Sequence, residues 1–170
     1  YATQQFKLMR LKEANLECPN NLKFVPMDFT KDLSLEKLIS MGFDLNKKTV
    51  FSMLEVTYYL TKEVIQQLLN ILLKDLPKGS SIVFDFADEN LFAEQGIYHR
   101  VEKTVQLAQA SGEPMKFATS LFELENLLAE EQLIIYEHLS PQDIQKQFFS
   151  NRNDYLQAFE TIHYIQAVKN

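Results

Sequence analysis

Glycine is scarce in this chain. Its 170 residues hold four, Gly42, Gly79, Gly96 and Gly112, and none belongs to a glycine-rich strand–turn–helix of the kind that cradles a nucleotide or a carboxylate. Cysteine is scarcer still. Cys18 stands alone, which excludes an intramolecular disulfide and accords with a reducing compartment such as the cytoplasm. No apolar run reaches the ~18 residues that a membrane-spanning helix requires, and no leader pattern precedes the first helix. Positive charge is short as well: 17 Lys and Arg face 23 Asp and Glu, for a net charge of −6. The longest basic run is Lys47-Lys48. Binding through phosphates asks for a basic patch, so neither a nucleic-acid nor a membrane partner is expected.

What is present is the make-up of a globular domain. Apolar residues are 46% and charged residues 24%, close to the average for soluble folds. Thirteen Phe and seven Tyr suit a filled core with an aromatic-lined pocket. The length supports one sizeable core. There is no repeat, low-complexity tract or long linker, so residues 1–170 read as a single domain. The chain opens on Tyr1 and runs directly into a helical pattern, as a portion of a longer protein would.

Hydrophobic periodicity predicts a helix over 3–15, with Phe6, Met9 and Leu11 on its apolar face. A strand follows over 22–29, and Pro26 confines it to an edge or a frayed end. Ser34 caps a short helix over 35–40, which Gly42 ends. The stretch 49–56 reads as a strand apolar on both faces. Thr61 then caps a helix to about Lys74, striped by Val64, Ile65, Leu68, Leu69 and Leu72. A third strand covers 81–86. This alternation argues for a parallel sheet with crossover helices. Beyond it come a helix near 99–110, a capping box at Ser120 opening a helix to about Glu130, and a strand over 133–137. A helix starting at Ser140-Pro141 and a last strand over 162–168 complete the pattern.

Ligands of open α/β sheets bind beyond the carboxyl ends of the strands. That rule selects Asp28, Glu55 and Asp85, the acids near the ends of the three early strands. Each can equally cap a helix or bond loop backbone, but three at one rim are more telling than one. Tyr58 and Tyr59 either line that pocket or pack in the core. His99 and Arg100 follow the third strand, as a substrate-facing or a surface pair. His138 and His163 lack an acid or cysteine at ligand spacing, so no metal is expected. Nothing near Cys18 would activate its thiol.

Several stretches, in order, resemble the leucine carboxyl methyltransferase family, whose bacterial branch includes O-methyltransferases. They are Ala2-Thr3-Gln4 with Lys7 and Arg10-Leu11, the run from Asn21 to Phe29, and Met41-Gly42-Phe43-Asp44. Val56 to Thr61, Gly79 to Asp85, Gly112-Glu113-Pro114 and Leu127 to Ser140 continue the series. The resemblance implies an α/β fold: a class I methyltransferase-like (Rossmann-like), doubly wound, mainly parallel sheet ending in an antiparallel strand pair. It also implies that the family's glycine loop and ribose-binding acid lie before Tyr1, so the chain would be N-terminally truncated. The cofactor implied is S-adenosyl-L-methionine, with Asp28 and Phe29 at its adenine end and Glu55 as a further contact. Asp85, Tyr58, Tyr59, His99 and Arg100 would face a small-molecule methyl acceptor. In some members a Glu stands five residues before the tyrosine matching Tyr59. Here that place is Leu54 and Glu55 comes one later, which on a strand would turn it to the opposite face. The alternative is an inactive fragment that completes its sheet by association, as a homodimer through exposed sheet edges.

Overall fold

The computed structural model describes residues 2–31, 33–92 and 99–170. The chain forms two compact units, Tyr1–Leu45 and Asn46–Asn170.

In the first unit, α1 spans Ala2–Glu13 and carries Arg10 and Lys12 in its last turn, where cations complement the carbonyl end of the helix dipole. Asn15, at φ +52°, ends it. Phe6 and Met9 are exposed on this helix. The second helix, α2, spans Leu35–Ser40. Gly42 adopts φ +98°, and its N–H and that of Phe43 return to the carbonyls of Ile39 and Leu38, a glycine-dependent helix end. Ser34 holds the N-cap position, but its side chain makes no cap bond, which corrects the expected cap.

The strand expected over 22–29 does not form. These residues are coil running into a turn at Asp28–Lys31. A strand exists only by pairing, and Pro26 has no N–H to offer. Among the described residues it joins no ladder.

The second unit contains the core. Its strands are β1 (Val50–Met53), β2 (Ser81–Ala87), β3 (Leu133–Leu139) and β4 (Ile162–Lys169). Its helices are α3 (Lys62–Leu73), α4 (His99–Ala110), α5 (Leu121–Glu130) and α6 (Pro141–Ile144), the last continued by a π-helical turn over Gln145–Phe149. The sheet order is β1-β2-β4-β3. Strands β1 and β2 are parallel and joined through α3, whereas β4 runs antiparallel to both β2 and β3. The antiparallel C-terminal pair is as expected. The sheet is mixed rather than mainly parallel, because the 22–29 stretch adds no strand and β4 inserts between β2 and β3.

Alternation along β2 divides its two faces. Ile82, Phe84 and Phe86 are fully buried, together with Ile165 and Ala167 of β4. The stripes Ile65, Leu68, Leu69, Leu73 of α3 and Leu124, Leu127, Leu128 of α5 are equally buried and cover this face. Each such leucine contributes ~2 kcal/mol by leaving water. Thr61 caps α3 and Ser120 closes a capping box on α5, as the sequence predicts. Gln66 bonds Glu130 at 2.8 Å and Asn70 bonds Glu131 at 2.7 Å, which sets α3 beside α5. Lys169 bonds the last carbonyls of α3, at Leu73 and Lys74.

The opposite face carries Val83, Asp85 and Ala87. Near the strand ends it is closed by a cluster of Tyr58, Ala87, Leu91 and Val101, the last from α4. Farther along, a groove of about 460 Å3 lies between the sheet and the π-helical turn, lined by Val83, Leu139, Ile144, Phe148, Phe149 and Tyr164. The strand expected over 49–56 is shorter than predicted. It ends at Met53 and forms the sheet edge, with Val50 70% exposed. Among the described residues its ladder has a partner on one side only.

Candidate functional site

The carboxyl ends of β1 and β2 point the same way and make one rim. After Met53 the chain leaves the ladder, and Glu55 takes φ +59°. A left-handed turn costs a residue with a Cβ roughly 1–2 kcal/mol, so something must hold it. Asp85 does: its Oδ1 accepts the Glu55 backbone N–H at 2.8 Å. One residue pair further, the Thr57 hydroxyl donates to the Asp85 carbonyl at 2.5 Å, and the 3-10 turn Thr57–Tyr59 follows.

Asp85 is only 1% exposed. Burial raises its carboxyl above the ordinary value, against the lowering effect of the Glu55 N–H, and the Tyr58 hydroxyl also interacts with it. The same negative surroundings act on the phenols. Burial, then Asp85 and Glu55, push Tyr58 upward, and the same three causes raise Tyr164, which lies opposite Asp85 on β4. Tyr59 packs edge-on against Tyr58 at 4.9 Å and is raised by burial first, then by Glu113 and Glu55. The rim is therefore a negative, half-desolvated place whose apolar walls strengthen any interaction with a cation.

The structure thus brings Glu55, Tyr58, Tyr59 and Asp85 together. Tyr58 belongs to the core cluster, with Tyr59 packed beside it. The one-residue shift at Leu54-Glu55 does not act through strand alternation, because both residues lie past the end of β1. Exposed Asp28 and Phe29 sit in the first unit. Asp28 Oδ1 accepts the Thr30 N–H at 3.0 Å and the Thr30 hydroxyl at 2.6 Å, and Lys31 approaches Oδ2 at 3.5 Å. The Thr30 bonds hold the carboxyl below its usual value. His99 begins α4 and is exposed. Arg100 pairs with Glu160 at 2.9 Å, donates to the Ala158 carbonyl at 2.5 Å, and lies 4.8 Å over the Phe159 ring. It clamps α4 to the segment before β4. Sequence reasoning did not single out Thr57 or Tyr164. Both reach the rim through pairing across 28 residues or more, which no local pattern reveals.

Residues 1–72 match the model of the leucine carboxyl methyltransferase family. Along 99% of its length the chain is 56% identical to "Putative S-adenosyl-L-methionine-dependent methyltransferase YktD" of Bacillus subtilis (strain 168). Similarity to leucine carboxyl methyltransferases thus covers the first 72 residues, and similarity to this relative runs along nearly the whole chain. The chain spans 55% of the length of this curated relative. Among solved structures, a DUF574 family protein of Streptomyces avermitilis MA-4680 superposes with a TM-score of 0.56 at 15% identity, over 77% of this chain and 48% of that one. The mitomycin 7-O-methyltransferase MmcR also gives 0.56, at 10% identity over 95% of this chain and 38% of that one. At such identities these two structures speak for the fold alone. The family segment includes Asp28, Phe29 and Glu55, but Asp85, Tyr164 and the C-terminal strand pair lie outside it.

Proposed function

We propose that the chain is part of an S-adenosylmethionine-dependent methyltransferase that methylates an oxygen of a small molecule. The observation that carries this reading is the left-handed turn at Glu55, held by the buried Asp85 carboxylate at the carboxyl rim of the sheet. Local strain that the surrounding structure holds in place is characteristic of ligand sites. The identity to a relative described as S-adenosyl-L-methionine-dependent supports the same reading.

The residues present fit part of the cofactor. In the first unit, Asp28 and Phe29 are the candidates for the adenine end; an adenine amino group would join Thr30 and Lys31 at the Asp28 carboxylate. The negative rim suits a sulfonium cation. No glycine loop for the methionine and ribose ends occurs among the 170 residues, so those contacts are not assigned to this chain. When bound, the cofactor supplies an electrophilic methyl group. The chain's own contribution is positioning: Asp85 fixes the Glu55 turn, and Tyr58 and Tyr59 wall off water. Methyl displacement gains mainly from such alignment and needs no protein nucleophile.

Calorimetric titration of S-adenosylmethionine into the full-length protein tests this. Binding is expected, weakened about tenfold or more by Asp28→Ala, the loss of one charge-assisted bond. Absence of both heat and thermal shift rejects the reading. A second reading, a chain that completes its sheet by pairing with a second copy, is favoured by one observation. The outer edge of β1 bears no ladder partner among the described residues. Light scattering decides it, since a strictly monomeric mass excludes the pairing.

A further inference from the structure

Three polar side chains from three strand ends meet at the carboxyl rim, on the sheet face that carries Phe86 and Ile165. Asp88 directly follows β2. Its Oδ2 lies 3.3 Å from His163 Nε2, at the start of β4. His163 Nδ1 lies 2.8 Å from His138 Nε2, near the end of β3. The two rings are coplanar within 6°, with centroids 5.1 Å apart, so they meet edge to edge through one N–H···N bond. Phe86 stacks on His163 at 4.9 Å. The side chains of His163 and Asp88 are only 15% and 16% exposed.

An imidazole pair at this distance accommodates a single proton between its facing nitrogens. The carboxylate sets the order. Asp88 accepts from His163 Nε2–H, which leaves His163 Nδ1 bare, so His138 must donate from Nε2 and keeps a bare Nδ1. We propose that Asp88, His163 and His138 form an acid-sensitive latch, in which one shared proton fastens the ends of β2, β4 and β3 at neutral pH and a second proton opens it. Protonating both rings places two donors, both positive, where one bond stood. Asp88 also accepts the Asn90 N–H at 2.9 Å and donates its own N–H to Thr161 at 2.9 Å. Opening the pair therefore loosens the turn that leaves β2.

The surroundings favour the neutral state. Burial lowers the His138 pKa first, His163 lowers it further, and Asp143 of α6 opposes them. Asp143 is engaged with Ser140, through its N–H at 3.0 Å and its hydroxyl at 2.5 Å. Glu123 of α5 is held by Ser120 and Thr119. The latch belongs to the folded chain and does not depend on the methyl-transfer reading.

Nitrogen-15 NMR of the histidine rings in the full chain tests it. At pH 7.5 both rings should carry their proton on Nε2. On acidification the His138–His163 bond should be lost, and the rim amides of Asp88, Leu139 and Tyr164 should lose about tenfold in hydrogen-exchange protection, the equivalent of one pKa unit. The variant His138→Gln keeps a donor but cannot titrate, so the acid-induced loss should vanish. If that variant fails to fold, Asp88→Ala gives the answer through the His163 ring, whose proton loses its acceptor at Nε2 and should redistribute toward Nδ1. An Nδ1–H form of either ring at pH 7.5 overturns the proposal. So does acid loosening that persists in His138→Gln, or an unchanged His163 tautomer in Asp88→Ala.

Discussion

Glu55 and Asp85 show how much one residue's surroundings decide. Glu55 sits at φ +59°, a conformation glycine adopts at little cost. Glu55→Gly should raise stability by up to about 1 kcal/mol while weakening S-adenosylmethionine binding. Parallel denaturant melts and calorimetry separate the two effects, and unchanged binding would remove Glu55 from the site. Asp85 gives a signed pH dependence. Its folded pKa lies above the unfolded value of 3.8, so the folded state binds the proton more tightly. The stability this adds is present at acid pH and is lost as pH rises through the folded value. Asp85→Asn retains an oxygen acceptor for the Glu55 N–H and should flatten that slope. Asp85→Ala leaves the N–H unpaired and should cost about 1–3 kcal/mol. Melts between pH 4 and 7.5 measure both. Sequence reasoning selected both acids from their strand-end positions, but it had no means to reveal that one carboxylate holds the other's backbone.

At the scale of elements, the helices of the second unit were legible because their signals are local. Thr61, Ser120 and Ser140 stand where their side chains accept the N–H groups of Val64, Glu123 and Asp143. Ser120→Ala should cost about 1 kcal/mol, read as a lower thermal midpoint, and an unchanged midpoint would show that packing alone fixes α5. The stretch over 22–29 failed as a strand for the converse reason. Its composition is apolar and extended in character, but a strand needs a neighbour to bond, and composition does not supply one. The π-helical turn after α6 carried no sequence signal either. It sets Phe148 and Phe149 over the open face of the sheet, a packing outcome rather than a propensity.

At the scale of the whole molecule, the described residues hold no helix long and apolar enough to cross a membrane. The core lies within Asn46–Asn170. His138 adds a second, oppositely directed pH dependence to the fold. Its folded pKa lies below the ordinary 6.5, so its contribution is present above that value and is lost as pH falls through the folded one. Asp85 opposes this change, so the contribution is read as a difference: the melting temperature of wild type minus that of His138→Gln should fall on going from pH 7.5 to 5. A difference that stays constant over this range contradicts it.

By itself the sequence determined the helix starts, the strands with buried alternation, the antiparallel last pair and the resemblance to a methyltransferase family. These follow from periodicity, capping chemistry and ordered motifs, all readable along the chain. Its four glycines, Gly42, Gly79, Gly96 and Gly112, already left no loop to cradle a nucleotide. Only the tertiary structure decided that β4 lies between β2 and β3, that Asp85 grips the Glu55 turn, and that Asp88, His163 and His138 share one hydrogen-bonded line. Those contacts join residues 25 to 75 positions apart. They depend on strand order and register, which arise from burial competing over the whole sheet rather than from any local pattern.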